Sequence, residues 1–251
     1  MENIKQSEGI NTDIVVINPE QSIDLETEKL KEKIKEILDF PIHDIDFDRD
    51  GPDPRAFFDS NPSKDEIAQF YEKHSHIEKV SNVDLSELCF VIIGEQPATD
   101  KTFYFDDEQG LDNFVSLVKE TGIIVEVAEK AELNNKVGAR FLFGKTQESL
   151  DKLREVLAIG DSGDYKKYHR EYGKLMGFPD TAISAFMEDS ERFDGDVKKS
   201  EEIKEIRAKH ADLPQKLYGN FVFSKNHFAE EYEAFLKRNE NLRGYAPQLF
   251  T

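Results

Sequence analysis

A chain of 251 residues that is 38% apolar has enough material for one large core or two modest ones. Its formal charge of −19 surrounds it with a field that repels polyanions, which excludes generic binding to nucleic acid or an anionic membrane unless a local basic patch overrides it. The single cysteine, Cys89, excludes an intrachain disulfide and reads as a buried, inert thiol of a cytoplasmic protein.

Residues 1–13 are polar and unpatterned, which predicts a flexible tail without a secretory signal, and no span has the length and apolarity of a membrane helix. Residues 14–251 read as one globular domain: a helical N-terminal part with an acidic loop (14–80), an α/β middle (85–158) and a helical hairpin region (161–251). Ile14 to Ile17 predicts an edge strand stopped by Pro19. Ile23, Leu30, Ile34, Ile37 and Leu38 then recur at helical spacing, predicting an amphipathic helix over 22–38.

Phe40 to Pro62 reads as a loop. It contains Asp46-Phe47-Asp48-Arg49-Asp50-Gly51, the opening half of a calcium loop, in which alternate carboxylates converge on one ion and the glycine permits the sharp bend. Asp46, Asp48 and Asp50 are therefore candidate Ca²⁺ ligands. The pattern is incomplete, because Phe57 stands where a bidentate glutamate should close the cage and Asp53 replaces the usual apolar residue, so an ordinary acidic turn is the competing reading. Ser63 to Glu66 forms a capping box for a helix running to Lys73. His74 and His76 would reach one metal from an extended strand, but with no cysteine or third histidine nearby they read as imidazoles at a helix end.

In the middle of the chain, the continuous apolar run Leu88 to Ile93 predicts a strand and Thr102 to Phe105 a second. A helix over 111–118, capped by Asp106 or Asp107, comes next, followed by strands over 123–128 and 137–143 and a helix over 147–157. This order predicts an α+β fold with a mostly antiparallel or mixed central sheet covered by helices. Two motifs here fail on physical grounds. Gly144-Lys145-Thr146 resembles the end of a phosphate loop, yet the residues before it, Ala139 to Phe143, are a strand and cannot curl their N–H groups around phosphate. Gly160-Asp161-Ser162-Gly163 resembles a serine-protease nucleophile segment, but the chain lacks the strand pattern and disulfides of that fold, so it reads as a turn.

Asp164 to Phe186 predicts two short helices folded at a Gly-Phe-Pro corner, the first ended by Gly177 and kept from continuing by Pro179. Tyr165, Tyr168, Tyr172, Leu175 and Met176 share one side of it, while Lys166, Arg170 and Lys174, four apart, form a basic stripe. The second helix carries mostly apolar and acidic residues, which argues against a DNA-reading helix-turn-helix. Arg170 would instead meet a small anionic ligand with Tyr168 and Tyr172 as hydrogen-bond partners, and His169 and Asp180 are the candidate catalytic groups. The competing reading is plain packing of the tyrosines on the core. The run Gly177-Phe178-Pro179-Asp180-Thr181-Ala182 resembles a helical corner of uncharacterised prokaryotic proteins in which two cysteines follow Gly-aromatic-Pro-x. Thr181 and Ala182 stand at those cysteine positions, so the resemblance implies the hairpin and no activity.

Beyond Asp189 the sequence predicts an exposed acidic stretch, a helix over 201–209, a possible strand over 217–223, a last helix capped by Asn226 with Phe228, Tyr232, Phe235 and Leu236 inward, and a tail from Arg243. In it Tyr245, Leu249 and Phe250 would dock on the body or on a partner. No motif spells a reaction. The leading expectation is a non-catalytic binding or protein-interaction protein with an unknown protein or small anionic ligand as partner. The alternative is an enzyme acting on a small anionic metabolite near His169 and Arg170.

Overall fold

Alternation along two strands builds the centre of the molecule. The computed structural model describes residues 19–47, 66, 69, 70, 73, 75–79, 82–133, 135–188, 191–193, 201–214, 217–219 and 222–250. The expected tail, the strand over 14–17, Asp48, Asp50 and His74 lie outside the described residues. Five strands, β1 (His43–Phe47), β2 (Ser75–Lys79), β3 (Ala98–Phe105), β4 (Ile124–Leu133) and β5 (Lys136–Gly144), form one sheet in the order β2-β1-β3-β5-β4. Every pairing is antiparallel.

Phe103 and Phe105 of β3 and Ala139, Phe141 and Phe143 of β5 point to one face, as the two-residue period of a strand requires. There they meet α1 (Pro19–Leu38), α2 (Asn82–Ile93) and α3 (Glu108–Lys119). Phe114 of α3 touches Phe103, Phe105 and Phe141 at ring distances of 5.8, 5.5 and 5.6 Å. Each fully buried ring of this kind contributes about 2 kcal/mol by area alone. Asp107 starts α3 by accepting a hydrogen bond from the Gly110 N–H. The opposite face carries Ala98 and Leu142, covered by α4 (Gln147–Asp161) through Leu150, Leu153 and Val156. α5 (Tyr165–Leu175) packs on α4, and α6 (Asp180–Met187) folds back on α5. α7 (Glu201–Lys209), α8 (Phe228–Tyr245) and a 3₁₀ turn (Pro247–Phe250) complete the chain. The fold is α+β, with helices against an antiparallel sheet and a helical hairpin in the C-terminal part.

The structure corrects four expectations. Leu88 to Ile93 is helix, the last half of α2, with Leu88, Cys89, Phe90, Val91 and Ile92 all fully buried. A helix enclosed on every side is apolar on every side, so its sequence carries no 3.6-residue stripe. Gly94, at φ +83°, ends it: the Glu95 N–H donates to the Phe90 carbonyl and the Gly94 N–H to that of Val91. Burial pushes the Cys89 thiol up to about 12, so it stays protonated. The expected loop after Phe40 contains strand β1, in which Asp46 stands opposite His76 of β2. The last helix starts after His227, not after Asn226.

The fourth correction concerns 217–223, whose described residues form no strand. Asn239 of α8 takes the partner's place: its Oδ1 accepts from the Tyr218 N–H at 2.8 Å and its Nδ2 donates to the Tyr218 carbonyl at 3.1 Å. A buried side-chain amide thus satisfies the backbone pair that a neighbouring strand would otherwise have held. The C-terminal segment from Arg243, expected as a tail whose Tyr245, Leu249 and Phe250 dock on the body or on a partner, lies on the body: Leu249 is buried, and Tyr245 and Phe250 pack on the main core.

The two rejected motifs have structural roles. The Lys145 ammonium donates to the Ile92 carbonyl at 2.8 Å, neutralising the negative end of α2, and Thr146 caps α4 in a capping box with Ser149. Gly160 lies in α4 beneath the Tyr168 ring, where a Cβ would come within 3.0 Å of Cδ2. Among the described residues, no helix is long and apolar enough to cross a membrane.

Candidate functional site

The hairpin of α5 and α6 encloses a concavity of about 370 Å³. Local rules make the corner. Asp164 caps α5 by accepting from the Lys167 N–H, and Gly177, at φ +74°, ends it. The Phe178 N–H then donates to the Gly173 carbonyl, and Pro179 sets the chain for the first turn of α6. Gly173 lets the helices approach: a Cβ there would lie 2.9 Å from Cγ1 of Ile183. Phe178, Ala182, Ile183, Phe186 and Val222 supply the apolar walls, and His169 and Tyr172 the polar side chains.

These two polar groups differ in their commitments. The Tyr172 hydroxyl donates to Oδ1 of Asp100 at 3.0 Å, while Oδ2 of Asp100 accepts from Nε and Nη2 of Arg140 at 3.2 and 2.9 Å. Burial first, then the charge of Asp100, holds the Tyr172 proton well above the ordinary phenol range. His169 contacts the edges of Tyr168 and Phe186 at 5.2 and 5.3 Å, and its ring nitrogens make no hydrogen bond to any described residue. Nothing described orients its tautomer, as a general base requires.

The expected site residues are therefore divided. His169 and Tyr172 line the concavity, whereas Tyr168 packs on the α4 face of the sheet. Arg170 is exposed beside the concavity and not in its wall. Asp180 lines a separate, polar cavity of about 320 Å³ with Thr181, Ser184, Glu191, Ser224 and Lys225, on the other side of α6. The structure does not bring Asp180 and His169 together. Among the described residues, no cluster of three or more His, Cys, Asp or Glu is placed to hold a metal ion.

The sequence matches no known protein-family model, no curated protein and no solved structure. Two positions in the corner are informative: Thr181 donates to Glu231 on α8, and Ala182 faces the concavity. The pair that resembles a double-cysteine segment thus has one side chain on each side of α6.

Removing the Tyr172 hydroxyl tests how the hairpin is fixed to the sheet. Tyr172→Phe should lower stability by about 1 kcal/mol at neutral pH, since one part-buried hydrogen bond to a carboxylate is lost. Because folding raises the Tyr172 pKa, the folded state binds more protons than the unfolded chain above about pH 10, so this contribution falls with rising pH. Urea unfolding of both proteins at pH 8 and pH 10.5 should show the gap narrowing at the higher pH.

Proposed function

We propose that this is a non-catalytic binding protein that takes the apolar part of a small ligand between α5 and α6. The observation that carries the reading is the composition of that concavity: five apolar walls, one phenol tied to Asp100, and one imidazole without a described partner. Apolar, concave sites of about 300–1,000 Å³ with few polar groups are the usual form of small-ligand pockets. Catalysis is disfavoured because the phenol is held protonated and the imidazole lacks an orienting partner, while Asp180 lines a different cavity. The lone reduced thiol and the net charge of −19 support a cytoplasmic protein that avoids nucleic acid.

The test is uptake of the neutral fluorescent probe N-phenyl-1-naphthylamine. The native protein should enhance its fluorescence saturably at one site. Ala182→Leu fills the concavity and should abolish the enhancement, with near-UV circular dichroism and thermal melting showing that the variant folds. Absence of saturable uptake by the native chain, or equal uptake by a folded Ala182→Leu variant, would refute the reading.

A further inference from the structure

The geometry points to a ligand that is an amphipathic anion, an aliphatic or aromatic carboxylate whose apolar body enters the α5–α6 concavity and whose charge stays at the mouth. This rests on the pocket reading above and adds the chemistry of the other end of the ligand. A helix repeats every 3.6 residues, so Lys166, three residues before His169, lies on the pocket side of α5 one turn closer to its exposed N-terminal end. Arg170 follows the lining residue His169 and precedes the lining residue Gly173 by the same spacing, which sets it next to the lining face of α5. Both side chains are exposed, and neither pairs with a described acid. Lys174 differs, since it is held by Glu171 at 3.3 Å.

Two free cations therefore sit beside a pocket whose imidazole is also free, in a chain that carries −19 overall. Elsewhere cations are spent on neighbouring acids, as with Lys33, Lys101, Lys130 and Arg154. At distances within the Debye length, about 8 Å at physiological salt, the local charge outweighs the screened net charge of the molecule. Phe186, a lining residue, is 48% exposed and packs its ring on that of His169 at 5.3 Å, so an apolar rim meets the imidazole at the mouth. The opposing charges on the hairpin are Glu171 of α5, paired with Lys174 and Lys152, Asp180, which lines the cavity on the other side of α6, and Glu188 just beyond α6. A neutral amphiphile would use the walls alone; a carboxylate would also accept from His169, Lys166 and Arg170.

Displacement of N-phenyl-1-naphthylamine by decanoate and by decanol, at concentrations below micelle formation, decides the matter. Decanoate should displace the probe at least about fivefold more effectively than decanol at low salt, and the preference should shrink at 0.5 M NaCl. The double variant Lys166→Glu, Arg170→Glu changes only exposed side chains. It should lose the preference for decanoate while retaining decanol displacement. Equal displacement by the two compounds, or an unchanged preference in the double variant, overturns the anion assignment and leaves the pocket reading standing. Failure of the native chain to take up the probe at all overturns both.

Discussion

Replacing Arg238 with alanine should cost about 3–5 kcal/mol in urea unfolding, whereas methionine should leave stability within about 1.5 kcal/mol of the native chain. Arg238 of α8 is 9% exposed and reaches from that helix to the end of α2 and the hairpin corner. Its Nη1 donates to the Met176 carbonyl at 3.0 Å, Nη2 donates to Oε1 of Gln96 at 2.9 Å, and the guanidinium lies 4.1 Å from the centre of the Phe90 ring. Its Nε is buried without a hydrogen-bond partner, and it makes no ion pair with any described carboxylate. Burial pushes the guanidinium down to about 10, against the opposing field of Glu95 and Glu87. The charge is therefore a cost in the folded state, and the packing of the long side chain is the gain.

Methionine removes the cost, keeps most of the volume and places a thioether on the Phe90 ring, but leaves the Met176 carbonyl and Gln96 oxygen short of a donor. Alanine leaves the same two acceptors and adds a cavity. If methionine proves as damaging as alanine, the hydrogen bonds dominate and the packing account is wrong. Because Arg238 anchors the carbonyl at the C-terminal end of α5, alanine should also weaken probe uptake by the hairpin pocket, while Lys237→Ala, on the exposed side of α8, should do neither.

The behaviour of α8 shows what the sequence hid. Phe235 and Leu236 are legible as inward residues, and both are buried; Phe228 and Tyr232 are half-buried. Glu231, Arg238 and Asn239, charged or polar in type, are buried on the same helix. Reading by residue type alone places them in solvent. Their phase gives the signal: Glu231, Phe235, Arg238 and Leu242 recur at four, three and four residues, the spacing of an inward face. α2 hid the opposite way, since burial on every side removed the stripe that separates helix from strand; Gly94 immediately after Ile93 was the readable stop. β3, β5, α3, α4 and the hairpin were legible because one face of each meets water or a different layer, which leaves the period in the sequence. Half of the pocket was legible too, in His169, Tyr172 and the Gly-Phe-Pro corner. Val222 was not, because its place beside α6 depends on chain pairing that no local pattern encodes.

Glu231→Ala should lower stability by about 3 kcal/mol, and Glu231→Gln by about 1 kcal/mol. Glu231 is 3% exposed, and its carboxylate is satisfied entirely by hydrogen bonds: Oε1 accepts from the hydroxyls of Thr181 and, at 2.8 Å, Ser224, while Oε2 accepts from the Ser224 N–H at 2.7 Å. It sits in the first turn of α8, where the helix dipole favours negative charge. Alanine strands a buried N–H and two hydroxyls, and each unmet buried group costs about 1–3 kcal/mol, offset by relief of the carboxylate's own burial. Glutamine keeps an oxygen for the Ser224 N–H and turns its amide toward the hydroxyls, which rotate to accept; only the charge-assisted part is lost. Thr181 opens α6, one wall of the pocket, so the alanine variant should also reduce probe uptake and the glutamine variant should preserve it. A Glu231→Gln variant as unstable as Glu231→Ala would show that the charge, and not the hydrogen-bonded shape, ties the hairpin to α8.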